Sequence, residues 1–390
     1  MNPDMRQEKG PNIHGAPRTF ASVYDAKRNN FDCLRFGLAS LVIWSHCFPL
    51  AGHPMDWFYA LSGQIDGGSL AVDGFFILSG FLVTQSWMNV PKVSIFASKR
   101  LLRIVPALLA ALALGGLIIG PLNSSLSVGG YFESREPWTH FLGVVFNRYL
   151  ALPSVFATNP LPNMVNAPLW SLRYEILCYA GVALLGLSRA RTWSASIVAV
   201  FAVSWLTFLV YRQVVTTAGL PPMPETIARL TACFSAGMLF YVFRARVPYR
   251  RDLAILAALV ALATFFIGGF HGALPIAGGY LLLYAAFSPA LPFSRFGRYG
   301  DFSYGLYVFA YPIQQAIVRN LGAEMSVATF FALSVLLTLP LAVVSWHLIE
   351  APALSLKPRN TAPRAAAVAR PPRDANVATV VAARAANRDS

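Results

Sequence analysis

The sequence predicts an all-α polytopic membrane protein with about ten transmembrane helices and both termini in the cytoplasm. Three observations predict it. Of 390 residues, 56% are hydrophobic and only 12% are charged, whereas a soluble domain carries about 25% charged residues. Ten segments have the length and apolarity of a membrane-spanning helix, roughly 31–51, 69–89, 101–121, 168–188, 191–213, 225–243, 252–270, 272–290, 301–320 and 327–349. The basic residues recur in alternate gaps between these runs, the charge bias that orients membrane proteins.

With the N-terminus inside, most of the 31 Lys and Arg residues fall in inside segments. Arg135, Arg148, Arg212 and Arg319 fall in outside loops, and Arg35, Arg173 and Arg229 lie within spans. The net charge of +14 is therefore a topology signal, and no nucleic-acid patch is expected. The stretch 138–152, with His140, Asn147 and Arg148, is expected to lie at the interface or fold back. As a full span it would place most later arginines outside.

Residues 1–30 read as a polar cytoplasmic tail without an apolar leader, so the first span is expected to be an uncleaved anchor. Residues 31–355 form the transmembrane domain, and 356–390, rich in Ala, Arg and Pro, read as a disordered basic tail. Cys33, Cys47, Cys178 and Cys233 sit inside apolar runs without metal-ligand spacing, so they read as small core residues. No metal site is expected. No nucleophile elbow, P-loop, HExxH or dinucleotide fingerprint occurs. The lack of an internal repeat argues against repeat-built transporters.

In the first span, FDCLRFGLASLVIWSHCFPLA, Arg35 and His46 are eleven residues apart. That separation is about 1100° of helical rotation, roughly 20° past three turns, and about 16 Å of rise, so both side chains share one face. Ionisable groups in a membrane usually face the bundle interior or a watery cavity. Arg35, near the end, has the alternative of snorkelling; His46 lies deeper. The second span, SLAVDGFFILSGFLVT, carries Asp73 at a depth similar to that of His46. An Asp beside an imidazole fixes its tautomer and raises its basicity, as a general base needs. Gly74 and Gly80 permit close helix approach.

The third span opens KRLLRIVP. Arg100 and Arg103 are i,i+3 neighbours suited to phosphate, or are simply an inside-positive flank. In the fourth, NAPLWSLRYEILCYAG, Glu175 lies near the depth of His46 and reads as a second candidate partner for it, or as half of an intramembrane pair with Arg173. Trp170 and Tyr174 suit an interfacial aromatic belt, with Trp170 also a substrate-binding candidate. The ninth span, GDFSYGLYVFAYPIQQ, places Ser303, Tyr304, Gln314 and Gln315 either in interhelical hydrogen bonds or along a cavity. His347 and Glu350, near the end of the tenth, read as interface residues.

Together, the Arg35–His46 spacing, AVDGFFILSGFL, RLLRIVP, LWSLRYEILCY and SYGLYVFAYPIQQ resemble the membrane-bound acyltransferase-3 family, over residues 31–355. The resemblance implies a bacterial inner-membrane enzyme that O-acylates, most often O-acetylates, surface polysaccharides, lipopolysaccharide or related glycans. It places the essential histidine at His46, its paired arginine at Arg35 and the Arg-x-x-Arg pair at Arg100 and Arg103. The Ser-Tyr-Gly motif falls on Ser303, Tyr304 and Gly305, giving two further substrate-binding candidates. Ala310 stands where many members have His, and no esterase domain follows the tenth span. The implied co-substrate is acetyl-CoA or another acyl-CoA, not a resident cofactor; the partners are the glycan acceptor and the bilayer. Its phosphates are expected on Arg100, Arg103 and Arg35, with His46 deprotonating a sugar hydroxyl and Asp73 or Glu175 steadying the imidazole. A lipid-linked glycan flippase, or a non-enzymatic part of an export complex, is the alternative.

Overall fold

A computed structural model describes residues 18–26, 28–140, 152–187, 190–218 and 223–357. Its ten principal helices are α1 (Phe31–Leu50), α2 (Gly67–Asn89), α3 (Val93–Ala113), α4 (Leu172–Leu187), α5 (Ala190–Ala218), α6 (Met223–Val242), α7 (Arg251–Ile267), α8 (Phe270–Ala286), α9 (Ser303–Leu321) and α10 (Val327–Ser345). Each of the ten apolar runs falls on one of them. Among the described residues, five helical stretches are long and apolar enough to cross a membrane: Phe31–Leu50, Gly67–Asn89, Val93–Asn123, Trp193–Arg212 and Val327–Ser355. Among the described residues the β contacts are two isolated bridges, Thr19 to Pro248 and Ser124 to Val155. The fold is all-helical. Most of the 138–152 stretch, the first part of the N-terminal tail and nearly all of the C-terminal tail lie outside the described residues.

The centre of the bundle is the α2–α6 crossing, set by two glycines. A Cβ on Gly80 would lie 1.9 Å from the Phe234 carbonyl oxygen, and one on Gly237 would lie 2.0 Å from that of Ile77. Only glycine admits backbones this close, and close packing is what holds helices together where lipid removes the hydrophobic drive. Gly74 plays a smaller part, its hydrogens facing Leu38 of α1. The same crossing carries an ion pair, Asp73 to Arg229 at 3.0 Å, with the Asp73 side chain 1% exposed.

The described part of the N-terminal tail is docked, which corrects the reading of 1–30 as a plain polar tail. Phe20 N–H donates to the Val247 carbonyl (3.1 Å) and Tyr249 N–H to that of Arg18 (2.7 Å). Phe20 is buried, its ring edge-on to Tyr249, Tyr280 and Phe287. The burial of one aromatic ring, worth about 1.5–3 kcal/mol, anchors the segment. This contact puts the N-terminal segment and the α6–α7 connection on one face of the bundle, here called the basic face.

At the other end, a loop folds back over α9. Pro312 has no N–H, so the Val308 carbonyl loses its helical partner; Asn166 Nδ2 fills the gap at 2.9 Å. Gln315 donates to the Leu161 and Met164 carbonyls, both at 2.8 Å, and Gln314 to that of Ile43 in α1 at 2.9 Å. Both glutamines are fully buried, so for Gln314 and Gln315 hydrogen bonding is the reading realised, while Ser303 and Tyr304 of the same span line a cavity.

Candidate active site

A cavity of about 110 Å³ lies between α2, α3, α4 and α9. Its mouth carries Arg35, Arg100 and Arg103, which the structure brings together from α1 and α3. They are not equivalent. Asp301, just before α9, binds two of them through one oxygen: Oδ2 accepts from Arg103 Nη2 at 2.6 Å and from Arg35 Nη1 at 3.0 Å. Its other oxygen accepts from the Ser303 hydroxyl and, at 3.3 Å, from the Ser303 N–H at the first residue of α9. Arg35 also reaches Asp32 at 3.3 Å, so it is held in a network instead of snorkelling.

Arg103 continues the network to Glu350 at 3.5 Å, whose second oxygen accepts from Ser345 at 3.1 Å. Glu350 is 2% exposed, which corrects its reading as an interface residue; His347 is exposed. Tyr304 lies beneath Arg103, its ring centroid 5.5 Å from the guanidinium carbon, and donates to the Ile104 carbonyl at 2.8 Å. Arg100 has no carboxylate partner among the described residues. Its guanidinium sits between the rings of Phe96 (6.0 Å) and Tyr179 (5.7 Å), with Ser86 Oγ at 3.5 Å, and its Nε is buried without a partner. Lys357 returns the chain to this cluster. Burial, then the charges of Arg100, Arg103 and Lys99, push its ammonium down to about 8, a mark of surplus positive charge.

Inward from the mouth, α4 and the 3-10 turn before it present Ser171, Glu175 and Tyr179 at four-residue spacing, hence along one face. All three line the cavity opposite Ser79 of α2. Glu175 Oε1 accepts from Ser79 at 3.1 Å and from the Tyr179 hydroxyl. Arg173 is not its partner: it lies over the Tyr174 ring (4.6 Å) and donates to that hydroxyl at 2.7 Å. The cavity ends at Ser171 and Tyr307, whose hydroxyls are 2.6 Å apart, with Tyr307 also donating to the Pro168 carbonyl at 2.5 Å. Trp170 packs edge-on to Tyr174 and is not among the lining residues.

His46 lies just past that end. Its ring stands perpendicular to that of Tyr311, centroids 5.2 Å apart, and Tyr311 is one helical turn, about 6 Å of rise, beyond Tyr307. The imidazole is partly buried and makes no hydrogen bond with another described residue. Neither expected carboxylate reaches it. Asp73 is taken by Arg229, and Glu175 by Ser79 and Tyr179, so the expectation of an Asp73 or Glu175 partner is corrected. The carboxylates whose charge acts on His46 are Asp66 and Asp56. Asp66 caps α2 through Ser69 N–H at 2.7 Å, and buried Asp56 accepts from Ser45 Oγ and Gly67 N–H, both at 2.6 Å.

Sequence reasoning missed Asp301, Asp56 and Asp66. Asp56 and Asp66 stand as helix N-caps, a pattern that was the available signal; Asp301 precedes the N-cap of α9 and carried no such signal.

Comparison with known proteins adds the following. The family described as Acyltransferase domain matches residues 28–347. An O-acetyl transferase of Shigella phage Sf6 is 27% identical over 329 residues, 83% of this chain and 95% of the relative. Nodulation protein 10 of Rhizobium leguminosarum bv. viciae is 29% identical over 365 residues, 85% of this chain and 94% of the relative. No solved structure matches significantly.

Proposed function

The chain belongs to the acyltransferase-3 family, and from that premise we propose that it transfers an acetyl group from cytoplasmic acetyl-CoA to a hydroxyl of a surface or lipid-linked glycan. One observation carries the reading: a single cavity joins an arginine-lined mouth to a closed end one helical turn from the Tyr311–His46 contact. The relative named an O-acetyl transferase supports the acetyl group.

In this reading the donor's phosphates meet Arg100, Arg103 and Arg35, and Lys357 adds charge. The thioester arm runs along α4 toward Ser171 and Tyr307, whose hydrogen bonds part to let it through. His46 Nε2 or Nδ1 takes the proton of the sugar hydroxyl as its oxygen attacks the thioester carbonyl. The new C–O bond forms, the C–S bond breaks, and the thiolate leaves with the proton from the imidazolium. The test is release of free CoA by the purified protein. It is expected only when acetyl-CoA and an acceptor glycan are both present, with one acetyl ester on the glycan per CoA. A flippase or an export component would move or bind glycan without releasing CoA.

The scheme assigns ten spans, both termini inside and the inner membrane of a bacterium. A single cysteine placed within 122–135, in a variant lacking the four native cysteines, is expected to react with an impermeant thiol reagent in intact cells. One placed within 244–249 is expected to react only after permeabilisation. The opposite pattern would invert the topology and end the assignment of the arginine mouth to cytoplasmic donor.

A further inference from the structure

Glu175 is a half-buried carboxylate in the first turn of the apolar helix α4. Among the described residues no basic side chain pairs with it, and its hydrogen bonds, from Ser79 and Tyr179, both end on Oε1. Oε2 receives none. An ionisable group in the membrane is retained at a cost and marks a pathway or a ligand, and this half-buried one lines the cavity with Oε2 outside its hydrogen bonds to the described residues. It also lies on the cavity wall between the arginine mouth and the Ser171–Tyr307 end, and away from His46. On α4 it stands one turn from Tyr179, beneath Arg100, and one turn from Ser171.

A pantetheine arm is a chain of methylenes interrupted by two amides and a hydroxyl. Drawn into this cavity it leaves water, and its N–H and O–H groups need acceptors. The walls around Glu175 are Phe75, Phe76, Leu82 and Val83 of α2, which suit the methylenes and accept nothing. We propose that Glu175 is a donor-arm binding residue: Oε2 accepts a hydrogen bond from an amide N–H or the hydroxyl of the arm, while Ser79 and Tyr179 hold Oε1 and set the carboxylate's orientation. The assignment rests on the acyl-CoA reading above, and it gives the cavity a reason to prefer donors with an amide-bearing arm.

The experiment compares CoA with adenosine 3′,5′-bisphosphate, which keeps much of the nucleotide and lacks the arm. Binding of each to the purified full chain is measured by calorimetry, with initial rates against acetyl-CoA. Glu175→Ala is expected to weaken CoA about tenfold or more, the scale of a lost hydrogen bond to a charged group, and to leave the bisphosphate unchanged. Glu175→Gln guards against misfolding. Its oxygen still receives Ser79 and Tyr179, which turns its NH2 toward the arm, a donor where an acceptor is needed. CoA affinity is expected to fall, KM for acetyl-CoA to rise, and kcat at saturating donor to hold. Equal losses for both ligands, or no loss for either, would overturn the proposal, as would a Glu175→Gln protein that binds CoA normally but has lost kcat. If the unaltered protein bound neither ligand, the donor reading itself would fall, a result distinct from all of these.

Discussion

His46→Ala is expected to abolish glycan acylation, by a hundredfold or more, in a protein that still folds, reaches the membrane and binds acyl-CoA. The structure makes this a clean separation. The imidazole holds no hydrogen bond to another described residue, so its removal strands no buried partner. What is lost is an edge-to-face contact with Tyr311, worth about 0.5–1.5 kcal/mol. Arg35 lies about 16 Å away along the same helix, Arg100 and Arg103 stand on α3, and the three should keep their affinity. His46→Gln sharpens the result, since Gln hydrogen-bonds but does not take up the proton. Acylation rate, CoA affinity and thermal midpoint are measured on the same preparations. Substantial acylation by a well-expressed His46→Gln protein would remove His46 from the mechanism.

Asp301→Ala is expected to be the most destabilising single change at the site. It leaves Arg35 and Arg103 facing each other with their shared carboxylate gone, and removes the acceptor of the Ser303 N–H. Breaking a fully buried pair by deleting one partner costs about 3–5 kcal/mol; Asp301 is 13% exposed and its arginines 21% and 26%, so the expected loss is the lower part of that range. The thermal midpoint in detergent should fall by many degrees and membrane abundance with it. Arg103→Ala is expected to behave similarly, because it strands Glu350 as well as Asp301. Arg100→Ala should differ. Without a carboxylate partner among the described residues, its loss should spare stability and weaken acyl-CoA roughly ten- to hundredfold. An Asp301→Ala protein as stable as the unaltered one would show that the network contributes nothing to the fold.

The contrast between the two arginines was not legible in RLLRIVP. Their spacing puts Arg100 and Arg103 on one face, and both do line the cavity. Which of them meets a carboxylate depends on Asp301 and Glu350, about 200 and 250 residues away. The apolar runs, by contrast, were sufficient for the helices, because burying backbone polar groups in lipid leaves a chain few alternatives to forming them.

The same division explains His46 and Asp73. Helix rise is constant, so the sequence alone placed Arg35 and His46 on one face. Its placing of His46 and Asp73 at similar depth is corrected: Ser45 borders Gly68 and Leu38 borders Gly74 across α1 and α2, which sets Asp73 roughly 10 Å of helical rise from His46. Nor did the sequence establish which way α2 is turned. Gly74 meets Leu38 of α1, and Asp73, one residue away and hence about 100° around the helix, is carried off that contact to Arg229 of α6. On α1, Ser45 borders Gly68 of α2 while His46, the next residue, faces Tyr311 of α9. Separation along one helix is a local property, whereas depth relative to a residue on another helix depends on how the two are docked. The azimuth of each helix is set by how non-local neighbours pack, here by the close contact of Gly80 and Gly237, and only the tertiary structure decided it.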